Sequence, residues 1–551
     1  MGIWILFFLG HAFRLVKERS KQMSEDLKED LHYYIHHYKV VSFAILAVVF
    51  YFLSFVIGFF LFRSNSDSII RLSFAHYRHT THFFFIILWC YLYFRTIRNI
   101  RYRDLTGHSS YTKDHAHYTR SYSELVDYFQ DANPYQLDVS TLPIESWRDA
   151  EGVILGKVGM RLIKRDSDGE GNLALFGGPG THKTTSQIIP TALRFSGSVL
   201  VIDIKGDILH WTRGKRKIKI FNPEDPLSCH FDPLHGIEAM SMTERESLLH
   251  SFASVIWEEN PKDRYFIPGA RDFFCGIALY MLHENIQTSF SEIIYALLHG
   301  NAIQWVKTIV NSDCKEAKNY LASYYGTNEV NVYGCYNTAC VGIRNFTAGA
   351  LDTLLDHSEN TLSPQDLEDG YDIYIELPQD KIEKYSKISS IMIQTFMTSF
   401  LRRPDVSSGE KARPIIFLLD EFAQLNFDWD ILSTAFSTLR SKRVSLFVAM
   451  QSIAQLESKY KENYRSIINN CKYVSIMGAQ DPKDRTYFQQ FIGTEKVLKI
   501  TSSQNGKVVS RTVSEAREYI YQPEDFGNLG EDVVICADGK HIQAQKTNCF
   551  E

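Results

Sequence analysis

GGPGTHKTT, residues Gly177–Thr185, is the most informative stretch of the chain. It follows a short apolar run, Asn172–Phe176 (NLALF), and precedes residues 186–195 (SQIIPTALRF), which are typical of a helix. Glycines between a buried strand and a helix let backbone amides turn toward a phosphate, and the helix N-terminus adds positive potential. The pattern therefore predicts a phosphate-binding loop rather than a glycine-rich turn without a ligand.

This loop carries the groups that a nucleoside triphosphate and Mg²⁺ require. Lys183 is placed to reach the β and γ phosphates, and Thr184 is placed to ligate Mg²⁺. His182 occupies the position before the lysine, where the usual pattern GxxxxGK[ST] has glycine. A histidine adopts a positive φ at some cost, so we expect the loop to keep its shape. The predicted nucleotide-binding residues are Gly177, Gly178, Gly180, Thr181, His182, Lys183, Thr184 and Thr185.

A second apolar run ends in two carboxylates that suit metal binding and water activation. Residues 414–425 read PIIFLLDEFAQL, so Asp420 and Glu421 follow a strand. We expect Asp420 to hold Mg²⁺ and Glu421 to orient and deprotonate the attacking water. A third run, Val444–Met450, ends beside Gln451, whose amide either senses the γ phosphate or caps a helix. Strands that alternate with helices predict a parallel, doubly wound α/β sheet with its ligand at the carboxyl ends.

The distance between the two motifs predicts an inserted domain. Lys183 and Asp420 are separated by far more than one crossover unit of about 30 residues. Residues 237–365 lack strong β patterning and contain helical stretches such as GARDFFCGIALYMLHEN. We therefore expect an all-α domain at 237–365, inserted between two parts of a nucleotide-binding domain at 151–236 and 366–551.

Two apolar runs predict an N-terminal membrane anchor in residues 1–103. Residues 40–62 contain no charged residue over a length that crosses a hydrocarbon core of about 30 Å. The second run is shorter and spans only if it extends over about 76–94. Basic residues flank both runs on the side that the positive-inside rule assigns to the cytoplasm. We expect two transmembrane helices, a stalk and the start of the nucleotide-binding domain at 104–150, and the bulk of the chain in the cytoplasm.

Composition narrows the class of protein without naming a partner. A chain of 551 residues exceeds what one hydrophobic core usually serves, so several folded units are expected. The formal net charge of −5 means that any contact with nucleic acid must be local. Nine cysteines without a CxxC pair argue against a disulfide framework or a zinc ribbon. The basic run at 213–219 (RGKRKIK) either faces a substrate or forms an exposed hairpin.

Taken together, the motifs resemble those of type IV secretion coupling proteins, which are membrane-anchored, RecA-like ATPases. Four further blocks carry the resemblance: SVLVIDIKGD at 198–207, FNPEDPLSCHFDPLHGI at 221–237, VAMQSIAQLESKY at 448–460 and YQPEDFGNLGEDVVICADGKHIQAQK at 521–546. The second block has Asp232 where the family has asparagine. The match covers roughly residues 151–546 together with the two-span anchor.

The resemblance implies a RecA-like P-loop NTPase domain with an inserted all-α domain and a two-helix transmembrane anchor. It implies ATP and Mg²⁺ as cofactors, a homo-oligomer in the form of a hexameric ring, and a location in the bacterial inner membrane. The implied partners are the components of a type IV secretion channel and a cargo of DNA–relaxase complexes or effector proteins. Asp203 is implied to lie beside the phosphate loop, where it either positions nucleotide or fixes a turn. An arginine from a neighbouring subunit, Arg440 or Arg443, is implied to reach the γ phosphate.

Two alternatives stay open at this point. If His182 weakens the motor, the chain is a recruitment scaffold of the same machine. A related ATPase core also occurs in DNA-pumping translocases, although the helical insert and the short anchor argue against that class. Dependence of ATP hydrolysis on Glu421 distinguishes the motor from the scaffold, and stimulation by double-stranded DNA favours the translocase.

Overall fold

The structure is a computed structural model that describes residues 144–146, 150–158, 161–259, 262–406, 412–505 and 508–549. All of them belong to one compact unit, His117–Glu551. The transmembrane helices predicted at 40–62 and 76–94 lie outside the described residues. Within the described ranges, no helix combines the length and the apolar character needed to cross a membrane.

Twelve of the described strands form one sheet. Three strands come first in the chain: β1 (Ile144–Ser146), β2 (Val153–Val158) and β3 (Arg161–Arg165). Seven strands at the centre then run parallel to one another: β4 (Asn172–Phe176), β5 (Ser198–Asp203), β6 (Ile218–Phe221), β7 (Asp372–Glu376), β8 (Ile415–Leu419), β9 (Val444–Met450) and β10 (Cys471–Ile476). A separate antiparallel hairpin follows, with strands β11 (Thr494–Asn505) and β12 (Val508–Tyr519). The last two strands, β13 (Asp532–Ala537) and β14 (Lys540–Gln545), return to the large sheet.

The order across the large sheet is β1-β3-β2-β14-β13-β10-β4-β9-β8-β5-β7-β6. The sheet is therefore mixed: its seven central strands are parallel, as the sequence predicts, whereas the antiparallel strands on one side are an addition to that prediction. The five strands on one side pair antiparallel, and short links join two of these pairs, β2 with β3 and β13 with β14, whereas parallel neighbours need a long crossover. Between β13 and β14 the turn residues Asp538 and Gly539 have φ of 50° and 74°, which suits a two-residue hairpin.

All helices between β6 and β7 belong to the region that the sequence predicts to be inserted. Two helices, α1 (Ile189–Arg194) and α2 (Asp207–Thr212), come earlier in the chain. The helices between β6 and β7 are α3 (Met242–Ile256), α4 (Phe266–Glu284), α5 (Phe290–His299), α6 (Ala302–Val310), α7 (Lys315–Leu321), α8 (Glu329–Ile343), α9 (Leu351–Leu354) and α10 (Pro364–Glu368). Capping boxes start three of them, with Ser241 and Glu244 at α3, Ser289 and Glu292 at α5, and Ser363 and Asp366 at α10.

The helices of this region do not form a core of their own. Phe252 and Phe290 of the inserted region belong to the same buried cluster as Phe417 of β8. Phe231, which precedes the insert, stacks on Phe396 at a centroid distance of 6.4 Å. One continuous apolar core therefore joins the inserted helices to one face of the sheet.

Five more helices complete the described fold: α11 (Ile382–Leu401), α12 (Trp429–Thr438), α13 (Ile453–Tyr460), α14 (Tyr464–Asn469) and α15 (Pro482–Ile492). Strands β8 and β9 are buried along their whole length, which explains their unbroken apolar sequences. Their carboxyl ends lie at the same edge of the sheet as the end of β4. The sheet therefore brings the three sequence motifs together at one edge.

Candidate nucleotide-binding site

The predicted phosphate loop leaves β4 between its two neighbours, β9 and β10. The backbone N–H of Gly177 donates to the carbonyl of Met450 at 3.1 Å. On the other side, the N–H of Met477 donates to the carbonyl of Phe176 at 2.8 Å. Both strands thus hold the start of the loop at the edge of the sheet, and the N–H of Thr181 donates to the carbonyl of Gly178 at 3.3 Å within the loop.

Two positions of the loop require particular residues. A Cβ atom at Gly177 would lie 2.4 Å from Oγ1 of Thr181, so a side chain at this position would collide with the loop itself. Gly180 has a φ of 77°, a conformation that glycine adopts without strain. The hydroxyl of Thr181 donates to the carbonyl of Gly178 at 2.8 Å and closes the turn.

His182 takes the backbone conformation of the glycine that it replaces. Its φ is 65°, as the sequence analysis expected, and its imidazole is exposed. Its carbonyl accepts the N–H of Ser186 at 2.9 Å, so the helix continues from the loop. The departure from the usual glycine therefore preserves the path of the loop at the cost of some backbone strain.

Lys183 reaches across the loop. Its side chain is 8% exposed, and its ammonium donates to the carbonyl of Gly177 at 2.7 Å. A buried ammonium at this position can bind phosphate oxygens that lie against the loop amides.

The hydroxyl of Thr184 and the carboxylate of Asp420 meet at the end of β8. Thr184 Oγ1 donates to Asp420 Oδ2 at 2.7 Å, and the N–H of Glu421 donates to Asp420 Oδ1 at 3.0 Å. Burial raises the pKa of Asp420, and the nearby Glu421 carboxylate acts in the same direction. The Thr184 hydrogen bond and the charge of Lys183 oppose this rise in pKa. A cation between these oxygens would favour the ionised carboxylate.

The donor set fits Mg²⁺ bound together with a nucleotide. Thr184 and Asp420 supply hard oxygen ligands, and Mg²⁺ in such sites takes one or two carboxylates while phosphates and water complete its shell. Among the described residues, no group of three or more His, Cys, Asp or Glu side chains is arranged to hold a metal ion.

Glu421 and Gln451 form the second pair of the site. The amide of Gln451 donates to both carboxylate oxygens of Glu421, at 3.0 and 3.1 Å. Glu421 itself has a φ of 53°, an uncommon conformation for a residue with a side chain. Such strain is typical of functional positions, and here it directs the carboxylate toward the neighbouring strand end.

Asp203 lies at the end of β5 but is engaged with its own helix. Its carboxylate is 2% exposed and accepts the N–H of Leu209 in α2 at 2.7 Å. Burial raises the pKa of Asp203 to about 6, and amide hydrogen bonds from Leu209, Ile208 and Lys205 oppose the rise. These contacts favour the alternative that Asp203 fixes a turn, and they do so through backbone amides rather than an ion pair.

Arg440 and Arg443 lie at the other end of the sheet. Both precede β9, whereas Gln451 follows it, and seven residues of strand separate the two ends by about 20 Å. Arg440 is exposed, and Arg443, with a φ of 54°, donates weakly to the carbonyl of Ala412 at 3.5 Å. Neither arginine lies at the phosphate loop of its own chain. A role at the site of a neighbouring subunit stays a prediction.

The basic run at 213–219 is neither a hairpin nor part of the nucleotide site. It joins α2 to β6, the edge strand that pairs in parallel with β7. Arg216 pairs with Asp372, and Lys219 pairs with Asp366 at 2.6 Å. Lys215 and Lys217 stay exposed.

Sequence reasoning missed one residue that supports the site directly. Gln455 accepts the N–H of Gln451 through its side-chain oxygen at 3.3 Å, and Ser452 accepts the N–H of Gln455 as the cap of α13. The sequence Gln-Ser-x-x-Gln could have indicated this contact. A serine that caps a helix and a glutamine three positions later commonly hydrogen-bond to backbone N–H groups of the same turn.

Comparison with known proteins identifies the family of the chain. A protein-family model described as "Type IV secretory system Conjugative DNA transfer" matches residues 141–551. A probable conjugal transfer protein TraG of Sinorhizobium fredii is 25% identical over 431 residues, which cover 73% of this chain and 65% of that protein. The type IV secretion system-coupling protein VirD4 of Bartonella quintana is 23% identical over 336 residues, which cover 57% of this chain and 51% of that protein. The matches thus span about half to two thirds of the length of these relatives.

Solved structures share the fold. The unbound monoclinic form of the conjugative coupling protein TrwBdeltaN70 has a TM-score of 0.58 at 17% identity, with 73% of this chain and 89% of that chain covered. TrwB in complex with ADP and Mg²⁺ has a TM-score of 0.57 at 16% identity, with 74% and 93% covered. The described fold is that of a TrwB-like α/β P-loop NTPase with a mixed sheet. Because the family model matches most of its length, the protein belongs to the type IV secretory conjugative DNA transfer family of coupling proteins.

Proposed function

We propose that this protein is a membrane-anchored coupling ATPase that delivers DNA–relaxase complexes or effector proteins to a type IV secretion channel. One observation carries the proposal: the hydroxyl–carboxylate pair Thr184–Asp420 and the amide–carboxylate pair Gln451–Glu421 converge on one phosphate loop. A structural role alone does not require a strained glutamate beside a buried lysine at the same edge of the sheet.

Different groups at the loop would bind the phosphates and Mg²⁺. The backbone amides after Gly177 and the ammonium of Lys183 would hold the phosphates, while Thr184 and Asp420 would ligate Mg²⁺. When bound, Mg²⁺ supplies positive charge that offsets the negative charge developing on the phosphate oxygens. The buried position of Lys183 strengthens its interaction with phosphate, because little water competes for the charge.

Glu421 performs the proton transfer. A water oxygen attacks the γ phosphorus, the bond to the β–γ bridging oxygen breaks, and the water proton moves to the Glu421 carboxylate. Gln451 holds that carboxylate by both oxygens, and it would release one of them when the water binds. An arginine of a neighbouring subunit would complete the charge stabilisation, which makes hydrolysis depend on assembly.

The wider setting of the motor is part of the proposal. Family membership supports a homo-oligomeric ring, of hexameric form, at a secretion channel. The apolar runs at 40–62 and 76–94 support a location in the bacterial inner membrane with the ATPase in the cytoplasm. Crosslinking at residues 237–365 in vivo would identify the cargo. Recovery of a relaxase with DNA would indicate conjugation, and recovery of proteins alone would indicate effector secretion.

The test combines substitutions in both halves of the site. The double variant Lys183→Ala, Glu421→Gln should lower ATP turnover by about a hundredfold or more and abolish transfer, while the chain stays in the membrane fraction. A matched control, Lys483→Ala, Glu462→Gln, changes the same residue types at exposed positions and should keep both activities. Wild-type transfer by the site variant would refute the proposal.

The scaffold alternative makes a different prediction in the same assay. If His182 had inactivated the motor, the wild-type chain would show no hydrolysis that depends on Glu421. The preserved path of the loop at His182 supports the active motor. Acceleration of hydrolysis by double-stranded DNA without any secretion component would support the DNA-pumping alternative instead.

A further inference from the structure

Pro190 lies in the first turn of α1, about two helical turns after Lys183. A proline has no N–H, and its ring displaces the carbonyl four residues before it, which is that of Ser186. The structure responds with a π-helical turn at Thr184–Ile188, in which the N–H of Ile189 donates to the carbonyl of Thr184. The helix that carries the phosphate loop therefore begins in an irregular turn that its own sequence imposes.

Two carbonyls of this turn lose the donors that they would have in a regular α-helix. The carbonyl of Ser186 would accept from residue 190, which is the proline. The carbonyl of Thr185 would accept from Ile189, whose N–H is directed to Thr184 instead. Ser186 is 0% exposed, so water does not replace the donor missing at its carbonyl at low cost, whereas Thr185 is half-buried.

A short segment from the other end of the chain supplies two donors. We call Lys546–Cys549, which follows β14, the strap. The hydroxyl of Thr547 donates to the carbonyl of Ser186, and the N–H of Cys549 donates to the carbonyl of Thr185 at 3.0 Å. The two carbonyls that lose their helical donors are thus the two that the strap engages.

The strap is itself held in place. The N–H of Lys546 donates to the carbonyl of Glu531 at 2.8 Å, and its ammonium donates to the carbonyl of Gly530 at 2.6 Å. Thr547 is 3% exposed. The strap therefore presents its donors from a fixed position beside β13 and β14.

We propose that Thr547 is a positioning residue for the phosphate loop, and that the strap sets nucleotide affinity by fixing the turn that starts with Lys183 and Thr184. The inference rests on the proposed function, because it concerns binding at that site. It goes beyond that function by assigning a role to a segment about 360 residues away in sequence. Without the strap, the turn would sample other registers, and the two binding side chains would be held less firmly.

The first test removes one donor. Thr547→Val keeps the shape of the side chain and leaves the Ser186 carbonyl unpaired, so we expect about tenfold weaker binding of fluorescent ADP with Mg²⁺ to the full chain. Amide hydrogen exchange of peptides that cover Thr184–Ile189 should accelerate by a similar factor without nucleotide. Thr547→Ser retains the donor and should restore both values.

A matched control separates positioning from a general loss of stability. Thr288 is a buried threonine of the inserted region, and its hydroxyl donates to the carbonyl of Asn285 at 2.7 Å. Thr288→Val loses the same kind of bond and should leave ADP affinity and exchange at Thr184–Ile189 unchanged. Wild-type affinity and wild-type exchange in Thr547→Val would overturn the proposal.

The second test uses the proline. Pro190→Ala restores an N–H that can serve Ser186 from within the helix, so Thr547→Val should cost much less in this background. The double variant also provides the comparison if Thr547→Val alone fails to fold. Equal effects of Thr547→Val in both backgrounds would overturn the inference. If the wild-type chain binds no nucleotide, the proposed function fails, while the exchange measurement still decides whether the strap fixes the turn.

Discussion

The side-chain amide of Gln451 contacts both carboxylate oxygens of Glu421, at 3.0 and 3.1 Å. Glu421 follows β8, and Gln451 follows β9, so this contact ties together two neighbouring strand ends. Gln455 in turn holds the backbone N–H of Gln451. The orientation of the proposed catalytic carboxylate thus depends on a short chain of amide contacts that leads into α13.

Gln451→Leu should lower kcat and leave the affinity for ADP nearly unchanged. Leucine has a similar size but cannot donate to Glu421, so the carboxylate loses its orientation while the phosphate contacts persist. We expect a decrease of about tenfold or more in kcat, measured by steady-state ATP hydrolysis beside an ADP titration. Gln365, whose amide donates to Asp369 at an exposed site, provides the control Gln365→Leu.

Gln451→Glu should change the pH dependence of hydrolysis. Two carboxylates at hydrogen-bond distance cannot both ionise easily, so the pair should retain a proton at higher pH. The acid limb of the pH–rate profile should move upward by about one unit. An unchanged profile would show that residue 451 does not contact the group that takes the proton.

His182→Val should weaken nucleotide binding more than His182→Gly does. A β-branched residue strongly disfavours the φ of 65° at this position, whereas glycine adopts it freely. We expect about tenfold weaker ADP binding for the valine variant and a change of less than about threefold for the glycine variant. His210, an exposed histidine within α2, provides the control His210→Val.

The parallel centre of the sheet, and the position of the predicted phosphate loop at its edge, could be predicted from local sequence. The runs Asn172–Phe176 and Val444–Met450 agree with β4 and β9 at both ends, because buried parallel strands are short and apolar throughout. Lys183 and Thr184 lie in the loop directly after β4, and their roles in binding stay predictions. Local composition was sufficient here because the chemistry of phosphate binding restricts which residues can follow such a strand.

Features that depend on contacts between distant segments were not predicted. Nothing near Thr547 indicates that its hydroxyl serves Ser186, because the signal is Pro190 in another part of the chain. The hairpin of β11 and β12 was missed although Asn505-Gly506 is a strong turn signal, since its strands are too polar to read as a buried pair. Likewise, the capping role of Asp203 is visible only once α2 packs beside it.

Asp203 should make stability increase as the pH falls through 6. Its pKa in the fold is about 6, above the ordinary value of about 3.9, because burial disfavours the charged form. The ionised carboxylate therefore destabilises the fold above pH 6, and this cost disappears as the group binds a proton between pH 7 and 4. The difference in unfolding free energy between wild type and Asp203→Asn should change by about 2 kcal/mol in favour of wild type over that range.

Thermal unfolding of both chains at several pH values measures this difference. Asp225 is an exposed aspartate that also accepts a backbone N–H, from Leu227 at 2.9 Å, and Asp225→Asn should show no such trend. Parallel curves for wild type and Asp203→Asn would contradict the assigned pKa.

Arg440 and Arg443 are tested by mixing subunits. Because both lie at the end of β9 opposite Gln451, an arginine that reaches a γ phosphate must act on a neighbouring chain. Arg440→Ala alone and Lys183→Ala alone should each be inactive. A mixture of the two should recover hydrolysis, because some interfaces then combine an intact loop with an intact arginine. The same experiment with Arg443→Ala identifies which residue acts.

The control for the subunit-mixing experiment is an arginine that forms an ion pair within its own chain. Arg402 is exposed and pairs with Glu244 at 3.4 Å, so Arg402→Ala should remain active without mixing. An inactive Arg440→Ala chain that gains nothing from Lys183→Ala subunits would contradict a role of Arg440 across the interface. Its loss of activity would then not come from a missing contact with its own phosphate loop either, because about 20 Å of strand separates the two.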